Sequence, residues 1–205
     1  MKEIDSPDHT RQIRQIQVFT IVWMLVEVVV SWFSAWHARS PALFAFGGDS
    51  VIELASAVVV LWGFRSGSAD EIQETRAAQI AGALLFVLAA CVATVSGLSL
   101  LGYGEAKPSV AGVVILLLAA VVMPLLARKK RKLSIATGNA ALRADAAESA
   151  VCAYLSTLAL VGVGLNTVWH ISWADPVAAL VLLPFIVWEG HEAMRGKACG
   201  GYGKA

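Results

Sequence analysis

Charge is what this chain has least of. Asp, Glu, Lys and Arg make up 15% of its 205 residues, against about 25% in ordinary soluble domains. A water-facing globular surface is thereby excluded, and 58% hydrophobic residues with a mean hydropathy of +0.69 point into lipid. Cysteine is nearly absent as well: Cys91, Cys152 and Cys199 fall in three different segments, so no even disulfide framework is implied. Cys91, among Ala and Val, reads as a small core residue, and Cys199 as an incidental thiol on a Gly-rich tail. No stretch is long and polar enough for a large soluble domain. That removes nucleic acid as a partner, since nothing would carry its readout, and an enzyme is not expected.

What is present is a set of six apolar segments, at 17–36, 42–64, 77–101, 109–127, 145–168 and 173–194. About 20 residues at 1.5 Å each cross a hydrocarbon core of about 30 Å, so each segment can span. The expected fold is an all-α membrane protein with six transmembrane helices over 17–194, a polar leader at 1–16 and a short tail at 195–205. The first segment follows that leader and lacks a small-x-small cleavage site, so it reads as a retained span rather than a signal peptide. Lys and Arg collect on one set of span ends, while the other set carries only Arg39 and Lys107. Positive residues stay on the cytoplasmic side, which places both termini in the cytoplasm. Within the basic set, Arg128, Lys129, Lys130, Arg131 and Lys132 form a block expected to act as a topogenic stop and to touch anionic lipid.

Against this apolar background the intramembrane acids stand out, because a carboxylate at the bilayer centre costs roughly 2.5–3.5 kcal/mol or more. Asp49 and Glu53 lie four apart in the second segment, on one face of a helix. Glu148 and Cys152 repeat that spacing in the fifth. The two segments run in opposite directions, so Glu53 is expected level with Glu148, and Asp49 level with Cys152, four side chains converging as a tetrahedron. Gly47 and Gly48 would let a neighbouring helix approach the acid pair closely. Glu27, alone in the first segment, and Asp145, near the cytoplasmic edge of the fifth, are candidates for an outer shell or a proton relay. Glu189, His191 and Glu192 at the inner end of the sixth segment read as an interfacial polar face, with a metal intake as the sharper alternative. The third and fourth segments carry no acid and read as scaffold.

Three carboxylates and a thiolate make a mixed donor set. Oxygen suits hard or borderline divalent ions, and sulfur shifts the preference toward Zn²⁺, Cd²⁺ or Co²⁺. Mn and Fe ions remain admissible cargo, with Zn²⁺ first. Mg²⁺ and Ca²⁺ prefer oxygen cages of six or more. Such ligands release protons when they bind a cation, which is the competition an antiporter needs. The plainer alternative is that the acids only hydrogen-bond to neighbouring helices and that Cys152 is a small buried residue.

The residues assembled here resemble the cation diffusion facilitator family of divalent metal transporters. Asp49-Ser50-Val51-Ile52-Glu53 looks like that family's second-span motif. Arg143-Ala144-Asp145-Ala146-Ala147-Glu148 followed by Cys152 looks like its fifth-span motif. Glu27 and Ala174-Asp175-Pro176 also look similar. The resemblance implies a cation-efflux-like bundle, export of divalent cations coupled to protons, and a homodimer. It also differs: Glu53, Glu148 and Cys152 replace usual family residues, the His-rich loop gives way to the basic block, and the chain reads as a short branch lacking the cytoplasmic domain. Two further readings stand beside transport: a membrane sensor that binds metal without turnover, and an intramembrane aspartyl protease using Asp49 and Asp145.

Overall fold

The computed structural model describes residues 7–66, 71–138 and 140–195. They form six helices: α1 (Pro7–Ala38), α2 (Pro41–Ser66), α3 (Glu71–Leu100), α4 (Val110–Thr137), α5 (Ala140–Trp169) and α6 (Ala174–Met194). No strand occurs among the described residues. Among the described residues, five helices are long and apolar enough to cross a membrane, through Arg11–Ala38, Gly82–Leu100, Val110–Thr137, Asp145–Trp169 and Ala174–Met194. The chain is an all-α, multi-pass membrane protein. Residues 1–6 of the expected leader and 196–205 of the expected tail, with Cys199, lie outside the described residues.

Local chemistry sets the helix ends. The chain reverses between α1 and α2 at Arg39, whose φ is 50°. Ser40 then caps α2, accepting from the Leu43 N–H at 3.1 Å, with Pro41 in the first helical position where its missing N–H costs nothing. Ser109 caps α4 in the same way, accepting from the Gly112 N–H at 3.1 Å. Gly138 ends α4 with a left-handed φ of 66°, the conformation in which a helix stops and glycine is unstrained. Asp175 sits in the first turn of α6, as expected of a helix-start acid, yet its carboxylate serves α2. It accepts from the Ser40 hydroxyl and, at 3.0 Å, from the Ala42 N–H. One carboxylate thereby holds the starts of α2 and α6 together.

At the opposite, basic end the helices outrun the predicted spans. α4 continues to Thr137 instead of stopping at 127, and its 28 residues are about 42 Å long at 1.5 Å each. α1 and α5 likewise begin before 17 and 145. The basic block is therefore helix, not loop.

Packing follows a simple order. α1 meets α2 and α4, and α5 meets α2 and α4, so these four close a ring; α3 and α6 pair with each other and rest on α2, while α6 also packs on α5. α2 and α5 thus have neighbours on two sides. Outside, apolar residues such as Val29, Phe33 and Trp36 remain exposed, as expected of a surface that meets lipid rather than water. Cys91 belongs to that surface, which corrects its reading as a core residue. The paired glycines face α1 and α3. A Cβ on Gly47 would lie 2.3 Å from Trp32 of α1, and one on Gly48 would lie 2.5 Å from Leu88 of α3.

The contact between α5 and α6 depends on Gly162, where a Cβ would stand 2.3 Å from the Ala178 Cβ and 2.9 Å from the Ala174 carbonyl oxygen. Gly164, two residues on, has open space. Gly162→Ala is expected to destabilise the fold by about 1–3 kcal/mol through overpacking and Gly164→Ala to leave it unchanged, as thermal melting of the purified protein in detergent will show.

Candidate functional site

α1 presents its polar groups to the ring along one line. Ile13, Gln17, Thr20, Met24, Glu27, Ser31, Ser34 and Ala38 are buried, at alternating steps of four and three that follow one face of a helix. Glu27 lies midway. The Trp23 indole N–H donates to its Oε1, and the Ser50 hydroxyl of α2 donates to its Oε2 at 3.3 Å. Ser50 is also bonded to the Phe46 carbonyl oxygen at 3.0 Å. Glu27 therefore belongs to the α1–α2 contact and lies within electrostatic reach of Asp49 and Glu53.

Both acids of the α2 pair point inward, Asp49 with 5% and Glu53 with 3% of its surface exposed. The buried Cys152 of α5 stands beside both carboxyl groups. Three of the four expected ligands thus gather between the two central helices. The α5 side chain that bonds Glu53 is Ser149, which donates to Oε1 at 2.6 Å. The half-buried Glu148 lies in electrostatic reach of Glu189 on α6. Neighbouring residues on a helix point about 100° apart, so with Ser149 turned to α2, Glu148 faces toward α6. The expected tetrahedron is accordingly not assembled: among the described residues, no three His, Cys, Asp or Glu side chains are arranged to hold a metal ion.

Beneath the acid pair, toward the basic end, lies a charged knot that the sequence reading did not find. Lys130 of α4 is fully buried and bonds Asp145 Oδ1 at 2.9 Å and the Ser149 hydroxyl at 2.8 Å. Its ammonium is 3.9 Å from Glu53 Oε1. Gln17 of α1 donates to the other Asp145 oxygen at 2.7 Å. Lys130 thus departs from the expected row of lipid-facing cations, whereas Arg128, Lys129, Arg131 and Lys132 do face outward. The signal was in the spacing. Ala119, Met123, Leu126, Ala127, Lys130 and Ser134 share the buried face of α4, so the core stripe runs straight through the basic block.

Glu189 was the second surprise. It is buried and within electrostatic reach of Asp49, Glu148 and Glu53, which corrects its reading as part of an interfacial face. His191 is exposed and Glu192 partly so. Gly190 and Ala193 are buried beside Glu189, and these small neighbours mark the inward side of α6.

No protein-family model matches the chain, and no curated protein matches it.

Ser149 joins the α2 acids to the knot: it accepts from Lys130 and donates to Glu53. Ser149→Ala strips a partner from two buried charged groups, so a loss of about 1.5–3 kcal/mol is expected. Ser96 is buried with no hydrogen-bond partner for its hydroxyl, and Ser96→Ala should cost nothing. Parallel melting curves in detergent compare the two.

Proposed function

We propose that this protein exports divalent transition-metal cations, Zn²⁺ foremost, from the cytoplasm in exchange for protons, with Asp49, Glu53, Glu148 and Cys152 as the ligands that carry the ion. The observation that carries this reading is the meeting of Asp49, Glu53 and Cys152 between α2 and α5, deep in the bundle. Buried carboxylates in an apolar chain mark ion and proton pathways. The thiol narrows the cargo toward Zn²⁺, Cd²⁺ and Co²⁺ over Mg²⁺ and Ca²⁺. Glu27 and Glu189 approach the same acids and suit an outer shell that accepts or passes protons.

In this reading α2 is a sixth span, its 26 residues about 39 Å long. Both termini are then cytoplasmic, and the basic ends of α1, α4 and α5 face the cytoplasm. Arg128, Lys129, Arg131 and Lys132 meet anionic lipid there. The four-helix ring with its attached helix pair is read as a cation-efflux-like bundle, and a homodimer is compatible with the broad apolar outer face. Glu53 keeps Oε1 on the Ser149 hydroxyl, while Oε2 has no hydrogen bond and is the oxygen that would join Asp49 and Cys152 on a cation. The protease alternative gains no support from Asp145, whose two oxygens are both held.

Proteoliposomes decide between transport and sensing. Zn²⁺ loaded on one side is expected to cross with counterflow of protons, and Asp49→Ala or Glu53→Ala should abolish both flows. Saturable Zn²⁺ binding without any flux would instead make the protein a sensor. Selectivity is a separate matter, tested by calorimetric titration with Zn²⁺, Cd²⁺ and Mn²⁺. Cys152→Ser should bring Zn²⁺ and Cd²⁺ affinity down toward that for Mn²⁺, and an unchanged ranking would remove sulfur from the ligand set.

A further inference from the structure

The knot beneath the acid pair joins all four helices of the ring at one level: Gln17 from α1, Glu53 from α2, Lys130 from α4, and Asp145 with Ser149 from α5. Its centre is an ammonium with no exposed surface. Lys130 has two carboxylates within reach, Asp145 at 2.9 Å and Glu53 at 3.9 Å. The nearer one is fixed from behind by Gln17, and the farther one is a member of the acid pair. Glu53 Oε1 takes the Ser149 hydrogen, while its buried Oε2 has no hydrogen-bond partner. One carboxylate of the pair thus has one oxygen 3.9 Å from a tethered cation and the other without a hydrogen bond.

We propose that Lys130 is a built-in counter-cation that closes the inner end of the acid cluster, so that a divalent ion loads by exchange: the ion takes Glu53 as the ammonium withdraws fully onto Asp145. This deepens the transport reading above and rests on it for the identity of the cargo. The ammonium only moves between two carboxylates and stays on the chain, so the two charges the ion brings are offset by protons that leave the acids as it binds. The exchange also gives Asp145 a definite part. As the stronger partner it draws the ammonium off Glu53, and Gln17 holds it in place to do so. A cation of like charge that stays beside the site discriminates against weakly held ions, because each must displace it. Lys130 is in this sense a positioning and specificity residue, not a ligand.

A purely structural ion pair and an exchangeable lock respond differently to paired substitutions. Lys130→Gln alone leaves Asp145 and Glu53 buried without their cation, a change that usually destabilises strongly, so the informative protein is the full chain carrying Lys130→Gln with Asp145→Asn. Asp145→Asn alone leaves the ammonium with Glu53 as its sole carboxylate and is expected to weaken Zn²⁺ binding. Adding Lys130→Gln removes the competitor and should tighten Zn²⁺ about tenfold relative to Asp145→Asn, given the strength of charge pairs near 4 Å. If the parent binds Zn²⁺ and the second substitution gives no recovery, the lock is overturned.

A second readout needs no metal. With Cys91 and Cys199 replaced by Ala, alkylation of Cys152 by a small polar maleimide reports opening of the inner end. The double variant should react about tenfold faster than the parent, as for a shift in a minor open state; equal rates would overturn the proposal even if Zn²⁺ transport were found. Conversely, a parent that neither binds nor moves Zn²⁺, yet whose double variant exposes Cys152, sinks the cargo assignment and leaves the lock standing.

Discussion

A charge buried where water cannot follow must be answered by another charge or by several hydrogen bonds, because the desolvation penalty of a lone ion runs to several kcal/mol. The interior of this bundle is arranged around that requirement. Asp145 has its two oxygens held by Lys130 and Gln17, and Lys130 in turn is held by Asp145 and Ser149. These bonds cross from α1 to α5 and from α4 to α5, so satisfying one buried pair fixes the basic end of the ring. At the other end Asp175 answers its own burial by capping α2, and in doing so ties α6 to it. Polar bonds at the two ends set the register in which the apolar faces then pack.

The same requirement explains why α2 and α5 occupy the centre. A helix with acids on one face and apolar residues on the others is tolerated in lipid only where protein covers the acids. α2 and α5 are covered on two sides, by α1 and α4 in the ring and by the α3–α6 pair outside it. α3 has no acid in its apolar stretch and is left at the periphery, where Cys91 and its apolar neighbours meet lipid. Close approach at the periphery and the centre uses small residues, since helices in lipid gain nothing from hydrophobic burial against each other and depend on tight contact instead.

How much of this was legible beforehand depends on which signal was read. Hydropathy located the helices well at the Arg39–Lys107 end, because Ser40-Pro41, Ser109 and Trp173 are punctuated by caps and turns. It failed at the basic end, where charge in the sequence of α4 looked like the end of a helix. Periodicity was the better guide there: Met123, Leu126, Ala127, Lys130 and Ser134 follow one face, and a Lys on that face is part of the core. Depth matching compares antiparallel neighbours level by level, and the structure has Cys152 beside Asp49 and Glu53. Ser149 was not anticipated, because spacing along a helix gives a face only to within the 100° between neighbours, and its hydroxyl bonds both Lys130 and Glu53. Glu189 escaped notice because its exposed neighbours His191 and Glu192 share its stretch of sequence but not its face.

Charge balance carries the argument one step further. Among the described residues the buried acids are Glu27, Asp49, Glu53, Asp145, Asp175 and Glu189, and the buried cation is Lys130 alone. Lys130 offsets Asp145, and Asp175 is answered by donors at the opposite end of the bundle. Glu27, Asp49 and Glu53 are left within electrostatic reach of one another and Glu189 within reach of Asp49 and Glu53, with the Lys130 ammonium 3.9 Å from Glu53 but bonded to Asp145. Four ionised carboxylates are more than one shared ammonium can answer in a dry interior, and in the transport reading proposed above protons on the acids or a cation among them answer the rest. In that reading the two are alternatives for the same sites, and the site trades one for the other.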